Sequence, residues 1–125
     1  MADLMEPSGT NLIGGRQSAR GEATFTAVDP RTGRPLEVQF HEATEEEVAE
    51  ATRTAADAFR ELRAWPTRRL AALLGAMADR LDQAGDVIVE QADRETALGV
   101  SPRLEGELAR TTGQIRAFAR LLDGG

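Results

Sequence analysis

From Thr44 to Leu122 the apolar residues recur at steps of three and four, and no stretch in that span alternates apolar with polar. This is the periodicity of helix faces and not of strands. It commits most of the chain to helices in succession. It also excludes the strand–helix–strand alternation of a doubly wound sheet. Four helices are expected. Thr44-Glu45-Glu46-Glu47 opens the first with a capping box: the Thr44 hydroxyl accepts from the N3 amide, and the Glu47 carboxylate accepts from the cap amide. Its stripe is Val48, Ala51, Ala55, Phe59 and Leu62, and Trp65-Pro66 ends it. The second runs from about Thr67 to Ala84 on Leu70, Leu73, Leu74, Met77 and Leu81, with Gly85 in the C′ position. Asp86 caps a third, shorter helix through Val87, Ile88 and Ala92. Ser101 and Pro102 fit the N-cap and N1 positions of the fourth. Leu104, Leu108, Thr111, Ile115, Phe118 and Leu122 are its stripe.

Strands precede the helices. Residues 1–10 are polar and are expected to be a disordered N-terminus. Asn11 to Arg16 reads as a short strand with a bend at Gly14-Gly15. A hairpin follows. Leu36, Val38 and Phe40 share one face of its second arm, and Asp29-Pro30-Arg31-Thr32-Gly33 is the turn, with Gly33 at positive φ. The fold class is therefore α+β: an N-terminal antiparallel hairpin or short sheet, then four helices side by side, over residues 11–125.

The core is thin. Apolar residues are 41% of the chain, but 21 of them are Ala, and Leu, Ile, Val and Phe number 26 together. Apolar burial only narrowly offsets conformational entropy in a domain this small. Such a composition suits a layer that leans on something else.

Several chemistries are closed by composition. With no Cys there is no disulfide, no thiolate metal site and no thiol nucleophile. One His, His41, cannot make a His metal cluster, and beside Glu42 at a strand end it reads as a solvated surface residue rather than a catalytic base. A net charge of -6 argues against nucleic acid or an anionic membrane as partner. No apolar run reaches the roughly 20 residues of a membrane span, and the N-terminus has no secretory pattern, so a cytoplasmic location is expected. Gly14-Gly15 lacks the spacing and the strand–turn–helix setting of a dinucleotide fingerprint. Most carboxylates sit at capping or pairing positions, such as Glu46 with Arg53 and Glu107 with Arg110. The exception is a long polar arc on the last helix, from Arg103 to Arg116. There Arg110 and Gln114 lie one turn apart and could grip an anion together, although a solvated face explains the same pattern.

The segments LIGGR, VDPRTGRPL and EATEEEVAEATRTAADAFRELRAWPTRRLAALLGAMADRL together resemble the start of the aldehyde dehydrogenase superfamily. RETALGVSPRLEGELARTTGQIRAFARLL is more specific and resembles the α-ketoglutarate semialdehyde (2,5-dioxovalerate) dehydrogenase subgroup. The resemblance implies oxidation of an aldehyde to a carboxylate through a Cys thiohemiacetal, with hydride passing to NAD or NADP and a Glu-activated water cleaving the thioester. The family's Cys, Glu, asparagine loop, ribose-reading Lys and glycine-rich cofactor turn have no counterpart in these residues. The chain is thus expected to be a truncated N-terminal part of the cofactor-binding domain, with no cofactor and no catalysis of its own. The remainder of the dehydrogenase chain would be its partner, and the complete enzyme a homo-oligomer acting on a small aldehyde. By the same resemblance the last helix flanks the substrate tunnel, which makes Gly106, Arg110 and Gln114 tunnel-side candidates. The alternative is a free-standing helical interaction module, or a regulatory subunit that docks on a full-length dehydrogenase.

Overall fold

A computed structural model describes residues 7–124. Most of the region expected to be a disordered N-terminus, residues 1–6, lies outside them. Residues 7–10 are placed: Gly9 is buried, and its carbonyl accepts from the His41 amide at 2.9 Å. The chain divides into two compact units. The first comprises residues 7–28 and Gly33–Ala64, the second Asp29–Thr32 and Trp65 onward.

In the first unit β1 (Asn11–Ile13) and β2 (Arg16–Ser18) pair antiparallel, with Ile13 opposite Arg16. The expected bent strand is therefore a complete hairpin. Gly14 and Gly15 both have positive φ, 57° and 76°, as the two-residue turn that matches strand twist requires. The strands β3 (Thr24–Asp29) and β4 (Arg34–His41) form a second, separate two-stranded sheet. Leu36, Val38 and Phe40 do share the more buried face of β4, and Phe40 stacks on Phe25 with ring centroids 5.6 Å apart. His41 departs from its solvated reading. It is half-buried, and its Nδ1 donates to the Gly21 carbonyl at 3.0 Å.

Helix α1 (Glu45–Leu62) carries the expected capping box in full. Its apolar stripe is displaced. The side turned inward holds buried Glu47 with half-buried Glu50, Ala51, Thr54 and Leu62, while Val48 and Phe59 are 56% and 62% exposed. Thr54 sets that orientation by standing against Gly14 of the β1–β2 turn. Polar contacts of Glu47 with the hairpin end thus favour this face, and Val48, Ala55 and Phe59 of the apolar stripe are left exposed while Ala51 and Leu62 turn inward.

In the second unit α2 (Thr67–Gln83) lies along α4 (Glu105–Asp123), and small residues line the seam: Ala71 and Ala78 on α2 and Thr112 on α4 are buried. Small side chains let two helix axes approach closely. The seam therefore selects the alanine side of α2 with Leu74 and Leu81, and Leu73 and Met77 of the expected stripe stay exposed. On α4 it selects Thr112 in place of Thr111, and Ala119 in place of Phe118, which is 63% exposed.

The α2–α3 corner also differs from expectation. α3 (Gly85–Thr96) begins at the glycine expected to terminate α2, and Ala84 is both the C-cap of α2 and the N-cap of α3. Gly85 is there for closeness, since a Cβ on it would stand 3.0 Å from Leu108 Cδ2. Asp86 falls in the first turn of α3 rather than at its cap, and Val89 rather than Val87 or Ile88 is the buried residue. Ser101 is not a helix cap: it is extended, its bond to Pro102 is cis, and α4 starts only at Glu105. Ala97 ends α3 in the left-handed region at φ 55°. A Cβ there costs on the order of 1 kcal/mol. Ala97→Gly is expected to raise stability by about 0.5–1 kcal/mol, read as a higher midpoint in denaturant unfolding at unchanged slope.

Candidate functional site

Three polar centres stand out, and α4 carries the residues marked in the sequence. Gly106, Arg110 and Gln114 follow one another at single-turn spacing, all exposed. Open space surrounds the Cβ position of Gly106. Arg110 is engaged: its Nε and Nη2 donate to Glu107 Oε2 at 3.0 and 2.7 Å. Arg103 reaches the other oxygen of Glu107 at 3.0 Å. Arg110, and then Arg103, hold the Glu107 carboxyl below its ordinary range. The expected Glu107–Arg110 pair thus forms, whereas Glu46 and Arg53 make no ion pair among the described residues. The arc presents one arginine, restrained from within its own helix, beside an open glycine and a free amide.

The second centre is on the same helix. Arg116 Nη2 bridges Asp79 Oδ1 at 2.7 Å and Asp82 Oδ2 at 2.8 Å, tying α4 to α2. Arg116, with help from Thr112, lowers the Asp82 pKa, and the two aspartates raise that of Arg116. All three side chains are at least a third exposed, so the network orients the seam more than it stabilises it.

The third centre is Glu47, which has no exposed surface. Its Oε1 accepts from the Ser18 hydroxyl and from the Arg20 amide at 3.2 Å, and its Oε2 from the Thr44 amide at 2.9 Å. Three donors meet one carboxylate, and every buried side-chain polar atom among the described residues has a partner. The Ser18 hydrogen bond, followed by that of the Thr44 amide, takes the Glu47 pKa to about 2 from an ordinary 4.5. The capping half of this centre was legible in the sequence. The Ser18 and Arg20 half was not, because nothing local places those residues beside the helix start.

No pair of these centres makes an acid–base or nucleophilic set. Among the described residues no buried side-chain polar atom lacks a partner, and the glycine at the head of α3 faces Leu108. Among the described residues no cluster of His, Asp and Glu is placed to hold a metal ion, and no helix is long and apolar enough to cross a membrane.

What the architecture does define is one part of a larger enzyme fold. Residues 17–124 match the model of the aldehyde dehydrogenase family, and the chain belongs to that family. It is 41% identical over 122 residues to alpha-ketoglutaric semialdehyde dehydrogenase 2 of Azospirillum brasilense, covering 97% of this chain and 23% of that protein. It is 32% identical over 122 residues to alpha-ketoglutaric semialdehyde dehydrogenase of Acinetobacter baylyi, covering 98% and 23% respectively. The solved NAD-dependent benzaldehyde dehydrogenase of Corynebacterium glutamicum superposes with a TM-score of 0.85 at 20% identity, over 94% of this chain and 26% of that one. That likeness establishes the fold: a partial aldehyde dehydrogenase fold of two short strand pairs and four helices. The chain spans about a quarter of the length of these curated relatives. The matches do not favour a free-standing interaction module or a regulatory subunit.

Glu47 generates a prediction. Its pKa is depressed on folding, so its contribution to stability is complete above about 4.5 and is lost as pH falls toward about 2. The denaturation midpoint should fall across that window. Glu47→Gln, which keeps the shape but not the charge, should lower stability at pH 6 and flatten the slope between pH 5 and 2. An unchanged slope in the variant would assign the acid sensitivity to Asp82, Asp93 and Glu107 instead.

Proposed function

We propose that this chain is the N-terminal part of the cofactor-domain side of an NAD(P)-dependent aldehyde dehydrogenase, and that the complete enzyme oxidises an acid-bearing aldehyde such as α-ketoglutarate semialdehyde to the carboxylate. The observation that carries this reading is the 41% identity over 97% of the chain to a protein of that name. The uncovered faces support it. Val48 and Phe59 on α1, Leu73 and Met77 on α2, and Phe118 and Leu121 on α4 are all exposed, as expected of a layer whose partner is the rest of the enzyme. The chain has no thiol, so it forms no acyl-enzyme by itself. It contributes scaffold and the substrate side of α4. NAD or NADP, the catalytic Cys and the Glu belong to the remaining part. A homo-oligomeric, cytoplasmic enzyme that engages neither nucleic acid nor membrane completes the reading.

On α4, Arg110 is the residue suited to a substrate carboxylate, with Gly106 leaving room beside it and Gln114 adding a neutral hydrogen-bonding group. Glu107 holds the Arg110 guanidinium at 2.7 Å, pre-orienting it until a second carboxylate competes. The test is a chimera in which this chain replaces the matching first quarter of the Azospirillum brasilense relative. The chimera should oxidise α-ketoglutarate semialdehyde, while the chain alone should not. In it, Arg110→Ala should raise KM for the acid-bearing aldehyde about tenfold or more, and that for a neutral aldehyde of similar length far less. Equal effects on both would remove Arg110 from the substrate site.

A further inference from the structure

The connection between α3 and α4 is held from far away in the sequence, and one residue is its hub. Asp93, in the last turns of α3, accepts from four donor groups. Its backbone carbonyl takes the Ala97 amide at 2.9 Å and Arg31 Nη1 at 2.9 Å. Its carboxylate takes Arg31 Nη2, at 2.9 Å on Oδ1 and 3.0 Å on Oδ2, and the Gly99 amide at 2.8 Å on Oδ1. Arg31 is itself fixed in a turn. Its amide donates to Asp29 Oδ1 at 2.8 Å, and the Thr32 amide donates to the Asp29 carbonyl at 3.2 Å. A guanidinium fork aimed at both a carboxylate and a carbonyl is a directional grip rather than a loose surface pair.

The segment that this grip holds has little else to define it. Ala97 and Gly99 are both left-handed, and Leu98, Ser101, Pro102 and Arg103 are exposed. Packing returns only at half-buried Val100 and buried Leu104, so hydrogen bonds set the stretch from Thr96 to Gly99. Asp93 fixes Gly99, and the Gly99 carbonyl accepts the Leu104 amide at 3.2 Å, one residue before α4 begins. The α2–α4 seam buries Thr112, further along α4, but Gly106 and Glu107 lie in the first turn, next to this connection. Glu107 is also the residue that orients Arg110.

We propose that Arg31 and Asp93 are positioning residues, which set the first turn of α4 by fixing the path of the 97–104 segment and thereby place Gly106, Glu107 and Arg110. Arg31 also lowers the Asp93 pKa, as a bidentate pair should. The inference rests on the reading of α4 as a substrate-side helix, and two separate measurements test it.

The first is amide hydrogen exchange in this chain. Arg31→Ala and Asp93→Asn should each speed exchange at Gly99 and Leu104 about tenfold, with Thr112 and Ile115 in the seam unchanged. The double variant should exchange no faster than the worse single one, and Arg31→Lys should recover only part of the protection. Unchanged exchange at Gly99 and Leu104, or equal acceleration throughout α4, overturns the local grip. The second measurement is in the chimera. Arg31→Ala should raise KM for the acid-bearing aldehyde severalfold at unchanged kcat, and Arg31→Lys should restore part of it. A KM indifferent to Arg31, with exchange accelerated, overturns the positioning role. An inactive parent chimera sinks the proposed function instead, and the exchange result then still decides whether the grip exists.

Discussion

Ala71 and Ala78 on α2 and Thr112 on α4 are buried along one seam, and the placement of the side chains beside it follows from that seam. Burying an alanine removes little apolar area from water, so the gain per residue is small. The seam compensates with proximity, because short side chains bring two backbones together over most of their length. The cost falls on the neighbouring leucines and aromatics. Once the alanine side of α2 faces α4, Leu73 and Met77 must point elsewhere, and Phe118 and Leu121 do the same on α4. The first unit repeats the pattern with a different anchor, since buried Glu47 and its three donors turn the polar side of α1 inward.

Both units bury small or polar contacts and leave several large apolar groups exposed, Val48 and Phe59 in the first and Leu73, Met77, Phe118 and Leu121 in the second. A free-standing domain ordinarily does the opposite. The inversion is intelligible for a segment spanning about a quarter of the proteins it matches. On the proposed function, these exposed apolar groups face the rest of a longer enzyme.

The element order was legible in the sequence because it rests on local signals. The Thr44–Glu47 box and the turn at Gly33 each specify a conformation within a few residues. Which face of each helix turns inward was not legible. Periodicity finds the apolar stripe, and the usual inference is that this stripe is covered. Here α4 docks on alanines and the hairpin docks on carboxylates, so the inference held for Leu70, Leu74 and Leu81 on α2 and for Leu104, Leu108, Ile115 and Leu122 on α4, and failed for Val48, Phe59, Leu73, Met77 and Phe118. Gly85 illustrates a second limit. A glycine after a helical run reads as a terminator, and this one does follow the C-cap of α2, but it also lies close to Leu108, a side chain 23 positions later. Within the candidate site, the pairing of Arg110 with Glu107 was readable from an (i, i+3) spacing. The reach of Arg31 to Asp93 spans 62 positions and carries no periodic signature.

The corner between α2 and α3 has a geometrical consequence of its own. Ala84 closes one helix and opens the next, so no spare residue lies between them. A helix advances about 100° per residue, and a corner without slack transmits that angle undiminished. One residue gained or lost at this point would turn Val89 out of the interior and carry Asp93 to another side of its helix. The corner therefore works as an index mark, locking the rotation of α3 to that of α2, and length variation between relatives should be absent from it and confined to the turns on either side.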